Sequence, residues 1–235
     1  MKNEKILEKL HAIAIQLDDE NKKAFDFCRK HPDDMREMNR ATPCIGSLVA
    51  DIIATVEWDI SHDSAKKSGN LSRLKAAERV IKSAKKQERP ALHGAWIADG
   101  MQYICDAYRA ARFPEPLDLP KIPENIPPID AARFFAAADQ NAGARLNLPD
   151  VHTLKAYIKT EKAARKAAGD KRPPVWDFGE NLPAVNAEFL LDFIELFPDA
   201  TATANKYNPL LGMIYFSTPD GAEGVLLPVK MGVRK

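Results

Sequence analysis

Apolar and polar positions along this chain recur with two periods, and the periods divide it. From residue 3 to 17, Ile6, Leu7, Leu10, Ile13, Ala14 and Leu17 sit three and four apart, which predicts an amphipathic helix. Residues 18 to 40 are polar and predict helix in pieces, with a break at His31-Pro32, because proline pushes the residue before it out of the helical conformation. Thr42-Pro43 reads as an N-cap with proline at the first helical position. The helix it opens carries Ile45, Leu48, Val49, Ile52, Ile53 and Val56 on a broad apolar face. Ser61 to Asn70 is polar and ends in Ser68-Gly69-Asn70, read as a linker. Leu71 to Gln87 predicts a further helix with Leu74, Ala77, Ile81 and Ala84 on one side and Lys75, Arg79, Lys82 and Lys86 on another.

Beyond residue 90 the elements shorten. Ala91 to Ile97 and Met101 to Cys105, joined at Asp99-Gly100, read as a hairpin, with a third strand at Tyr108 to Phe113. Six prolines between residues 114 and 129 rule out regular elements there and predict an extended connector. Asp130 to Asp139 and Val151 to Ala168 read as helices, the second ended by Gly169. After an extended stretch around Val175-Trp176-Asp177-Phe178, a helix runs from Ala187 to Phe197 and stops at Pro198. Strands are expected near 200–206, at Leu211 to Ser217 and at Val225 to Val229, with a Pro-Asp-Gly turn at 219–221. Proline makes a poor ladder member, so Pro228 is expected at an edge or where pairing ends, and an edge carrying Leu227, Val229 and Met231 is a place for another chain to dock. No internal repeat shows at a fixed short period. The expected fold is α+β: a helical N-terminal region, residues 1–70, then residues 71–235 as one domain with helices packed on a mainly antiparallel sheet. Within that domain, about 114–172 is a Pro-rich and helical insertion.

Composition narrows the function classes. Hydrophobic residues make up 45% of the 235, enough for a core, and the net charge of +1 gives no global field to attract nucleic acid. Charge is local instead. Residues 71 to 89 hold seven Lys+Arg against two Asp+Glu, whereas residues 1 to 70 hold 11 against 13. The helix at 151–168 adds Lys155, Lys159, Lys162 and Lys166, with Arg165 nearby. Two such rows suit a phosphate backbone, and they equally suit the solvated faces of two amphipathic helices. Three cysteines (Cys28, Cys44, Cys105) without a Cys-x-x-Cys pair point to reduced thiols rather than disulfides or zinc. The charged N-terminus does not read as a signal peptide and no run is long enough for a membrane span, so a cytoplasmic protein is expected.

Catalytic chemistry is not legible. His11, His31, His62, His93 and His152 have no metal-ligand spacing. No Gly-x-Ser-x-Gly elbow, Walker loop or Gly-x-Gly-x-x-Gly is present. Cys44 at a helix start has no partner base in view and reads as a buried structural thiol. The expectation is no enzyme, no metal and no cofactor.

Three stretches carry a family resemblance. Arg89-Pro90-Ala91-Leu92 through Asp99-Gly100, followed by Cys105-Asp106-Ala107-Tyr108-Arg109-Ala110, resembles a bacterial sliding clamp, the processivity subunit of the replicative DNA polymerase, and clamp-like phage proteins. Val185-Asn186-Ala187-Glu188-Phe189-Leu190-Leu191-Asp192 is similar to the second clamp helix with its leading asparagine. Leu227-Pro228-Val229-Lys230-Met231 is similar to the closing strand. The resemblance covers roughly residues 71–113 and 173–231. Ala107 and Cys105 depart from the glycine and threonine of the first signature, and residues 1–70 have no counterpart. The resemblance implies a non-catalytic accessory protein of replication or phage biology. It assigns Lys75, Arg79, Lys82 and Lys86 to the DNA backbone and places Leu227, Pro228, Val229 and Met231 beside a cleft for a polymerase-type partner. One chain holds one such domain, so a ring would need several copies. The competing expectation is an interaction module or inhibitor of a host nucleoprotein, with the clamp-like domain as scaffold and the N-terminal helices as the working surface.

Overall fold

Gly69 separates two compact units, residues 1–70 and 71–235. The computed structural model describes residues 2–30 and 45–230. His31-Pro32, Thr42-Pro43, Cys44 and Met231 therefore lie outside the described residues.

The first unit is a pair of helices, α1 (Lys2–Lys30) and α2 (Ile45–Lys67). Where the sequence suggests helix in pieces beyond residue 17, α1 runs unbroken to Lys30. Nothing between 18 and 30 breaks it, and Asp18 pairs with Lys22 one turn on at 2.7 Å. Likewise α2 continues through Ser61–Lys67, expected as linker. It stops at Gly69, whose φ of 77° suits a residue without a Cβ. The amides of Gly69 and Asn70 donate to the carbonyls of Lys66 and Ala65, which closes the helix end.

The second unit is an α+β domain with a mainly antiparallel sheet. It begins with α3 (Leu71–Ala84), then β1 (Trp96–Ala98), β2 (Met101–Cys105) and β3 (Arg109–Phe113). The connector and α4 (Ala132–Gln140), β4 (Ala142–Leu146) and α5 (Val151–Ala167) follow. A two-stranded ribbon, β5 (Val175–Asp177) and β6 (Ala184–Asn186), leads into α6 (Ala187–Leu196), and β7 (Thr201–Asn205), β8 (Ile214–Ser217) and β9 (Glu223–Leu226) end the fold. Seven strands form one sheet in the order β1-β2-β3-β9-β8-β7-β4. A helix followed by three antiparallel strands therefore occurs twice, and the two sets meet where β3 pairs with β9, Arg109 opposite Leu226. The repeat is one of topology, too distant in residue identity for a fixed period to reveal it.

The turns follow their residues. Asp99 and Gly100 both take positive φ, the hairpin turn that an Asp-Gly pair predicts. Asn186 caps α6, its side chain accepting from the amides of Glu188 and Phe189. One expectation is corrected. The last strand is not an edge: β9 is paired on both sides, by β3 and β8. It also ends at Leu226, short of Pro228. The Pro-rich and helical stretch 114–172 also contributes a strand, β4, which forms the far edge of the sheet against β7.

Alternate residues of the sheet face opposite layers. One face receives α3 and α6, with Phe113, Phe193, Phe197 and Phe216 in stacked and edge-to-face contact at centroid distances of 5.1 to 6.4 Å. Gly224 makes this possible, because a Cβ there would lie 2.6 Å from the Phe197 ring and 2.8 Å from Phe193. The other face receives α4, where Trp96, Tyr103, Tyr215 and Val225 surround the buried Phe135.

Candidate interaction surfaces

Helix α3 buries Leu74, Ala76, Ala77, Val80, Ile81 and Ala84. Its outer side carries the basic row, and the packing of α3 against α6 decides what becomes of it. Arg79 donates through Nε to Asp192 at 2.5 Å and through its terminal nitrogen to Glu195, both on α6. Burial works against the Arg79 charge, but the two carboxylates hold its pKa above the ordinary value. Glu195 also takes Lys155 of α5 at 2.6 Å, and Glu188 takes Lys162 at 2.6 Å. Arg79, Lys155 and Lys162 are thus engaged by the protein's own acids. Lys75, Lys82, Lys86, Lys159 and Lys166 are exposed and form no ion pair among the described residues. Seven of the eight basic residues lie on helices flanking α6 and Lys86 in the turn after α3; three meet the surface of α6 and five are turned to solvent.

The Asp192 contact continues inward. Arg109, with 2% of its side chain exposed, donates to Asp192 at 2.5 Å and to Asp106 at 2.9 Å. Asp106 also accepts from the amides of Tyr108 and Arg109, and the Arg109 guanidinium lies 4.1 Å from the centre of the Phe189 ring. The chain Asp106–Arg109–Asp192–Arg79–Glu195–Lys155 alternates in sign from end to end, so each buried charge has an opposite neighbour. The sequence reading missed Asp192. The available signal was three acids, Glu188, Asp192 and Glu195, spaced four and three apart along a helix whose other residues are apolar.

Beside this network lies a groove of about 380 Å3. Cys105 to Ala110 forms one wall and Val225 and Leu227 another, with Phe134, Ile129 and Met213 completing the apolar lining and Arg89 and Arg133 adding positive charge. The Leu227 amide donates to the Tyr108 carbonyl at 2.9 Å, so two stretches far apart in the chain meet here. Leu227, Tyr108 and Phe134 are exposed apolar side chains. Pro228 ends the pairing with β3, and the Val229 amide turns to the Ala184 carbonyl at 2.7 Å. Leu227 therefore lines this groove, while Val229 lines a separate hollow of about 390 Å3 with Leu210 and Leu211. Four residues expected at one site divide in this way between two, with Pro228 at the division and Met231 undescribed. Tyr108, Phe134, Ile129 and Met213 went unread as a group because four separate stretches of the chain bring them together.

Burial, followed by the neighbouring Asp106, pushes the Cys105 thiol up to about 12, so it stays protonated at neutral pH. Among the described residues no group of three or more His, Cys, Asp or Glu is placed to hold a metal. No helix there is long and apolar enough to cross a membrane. Comparison with family models, with characterised proteins and with solved structures yields no match to this chain.

Proposed function

We propose that this is a non-catalytic, clamp-like accessory protein of replication or phage biology, working in the cytoplasm, that captures a short apolar segment of a polymerase-type partner in the groove between Cys105–Ala110 and Leu227. The observation that carries the reading is the meeting of Leu227 with Tyr108. Two of the three stretches that resemble a sliding clamp form the walls of one groove, and its apolar floor and basic rim suit an apolar peptide with acidic flanks. The order of elements supports the same reading: a basic helix and three strands, then a second helix and three strands, in one sheet. Isothermal titration of the full chain with peptides from replicative polymerases tests it. Leu227→Ser and Tyr108→Ala, both exposed, should weaken binding about tenfold or more while leaving thermal unfolding within a few degrees. Peptides that fail to bind at ~100 µM, or that bind both variants unchanged, would remove the proposal.

A DNA contact is the second part of the reading, favoured by the solvent-facing lysines of α3 and of the turn that follows it. It is narrower than the sequence alone suggests, resting on Lys75, Lys82 and Lys86, because Arg79 is spent on α6. Anisotropy with a labelled duplex at low salt should detect binding. Changing the three lysines to Ala should lower the slope of log affinity against log salt by roughly 0.9 for each phosphate no longer neutralised. An unchanged slope would assign the lysines to solvent and leave the interaction-module reading in place.

A further inference from the structure

We infer that the N-terminal helical pair is a self-association device, and that two copies of this chain join through it as an antiparallel four-helix bundle. Most apolar positions of α1 fall in two stripes, and Ile15, 65% exposed, lies outside both on the His11 side. Leu7, Leu10, Ala14 and Leu17 are half-buried, as are Ile53, Val56 and Ile60 beside the buried Val49 of α2. Spacings of three and four on both helices make these the seam within the pair. Ile6 and Ile13 stand to one side of that seam, 43% and 45% exposed, and Ile52 of α2 is 41% exposed.

His11 and Glu57, 3.5 Å apart, set the antiparallel register and mark one side of the pair. At about 100° per residue, Ile6, Ile13 and Ile52 all fall on the opposite side. Val49 is the single buried hydrophobic side chain among those of this unit whose burial is described. Two helices offer each other one seam apiece, and what lies beyond it meets water. Helices in proteins draw most of their stability from a packed apolar face, and small units lacking a core commonly complete one by oligomerising.

Charge selects a second copy as the occupant. The same register sets Lys9 level with Asp59, and Lys5, one turn away, level with Asp63. All four are exposed and form no ion pair among the described residues. A two-fold axis parallel to the helices places α1 of one copy antiparallel over α2 of the other. It closes Ile6, Ile13 and Ile52 against their counterparts and sets Lys9 and Lys5 against the partner's Asp59 and the partner's Asp63. Every neighbouring pair in the resulting bundle is antiparallel.

The inference stands apart from the function proposed for residues 71–235. Sedimentation velocity of the full chain across about 1–100 µM should find two chains of 26.1 kDa each per particle. Ile13→Asp with Ile52→Asp should raise the dimer dissociation constant at least about 100-fold. Circular dichroism should show helix retained, since neither residue lies in the seam. Lys9→Glu alone should weaken pairing several-fold, and Lys9→Glu with Asp59→Lys should restore it. That swap decides the matter even if the double aspartate variant loses helix. A wild-type monomer at 100 µM, a dimer that survives both aspartates, or a swap that fails to restore pairing would each overturn the inference.

Discussion

Arg109 is held by two carboxylates and an aromatic ring in a place where water cannot replace any of them. Removing it leaves Asp106 buried without a counter-charge and Asp192 with Arg79 alone. Arg109→Met should therefore cost about 3–5 kcal/mol, read as a shift in the denaturation midpoint. Changing Arg79, whose side chain is 43% exposed, should cost less, because solvent screens what remains. The Cys105 thiol is half-buried in the groove wall and held protonated. With Cys28 and Cys44 changed to Ser, it should react with a thiol reagent at pH 8 more slowly than in the unfolded protein. Its folded pKa lies above its unfolded one, so its contribution to stability is complete below about 9 and is lost as pH rises toward about 12. Asp170 has the opposite sign. Hydrogen bonds from Arg172 draw its carboxyl down to about 2, so its pairing is intact above the ordinary carboxylate value and fades as pH falls toward 2. Carboxyl NMR titration reads this directly.

At the scale of elements, the sheet and α6 meet through Gly224. Gly224→Ala puts a methyl into the Phe193 and Phe197 rings, and with both rings buried, overpacking of about 1–3 kcal/mol is expected from thermal unfolding. Most elements were legible because they announce themselves locally. Asp99-Gly100, Asn186 before an apolar helix and Pro219-Asp220-Gly221 carry their turn or cap in their own chemistry, and each occurs where expected. β4 was not legible. Ala142-Gly143-Ala144-Arg145-Leu146 has little β-propensity, and it becomes a strand by pairing with β7, with Gly143 allowing close approach to Lys206. The end of α2 and the continuity of α1 beyond residue 17 were misjudged because polar residues on an exposed helix carry no periodic signal, although nothing in them interrupts a helix.

For the whole molecule, the division at Ser68-Gly69-Asn70 makes a physical prediction. These three residues are exposed, and limited proteolysis should cut between α2 and α3 and leave residues 71–235 as a resistant fragment. Self-association through residues 1–70 would bring two copies of the groove into one particle. A partner with two binding segments would then be held more tightly than either segment alone allows.

The pattern of apolar positions determined by itself the α+β class, most of the strands beyond residue 90 and the faces of α3, because each depends on neighbours two to four residues away. The tertiary structure alone decided which charges are free and which residues share a site. Arg79 and Lys82 look alike in sequence, one turn apart on the same face. Only the arrival of Asp192 and Glu195 from the other half of the fold distinguishes them. Leu227 and Val229 likewise look alike as neighbours in a terminal strand, yet β9 ends at Leu226, and the proline between them, unable to donate a hydrogen bond, marks where one turns to Tyr108 and the other to Ala184.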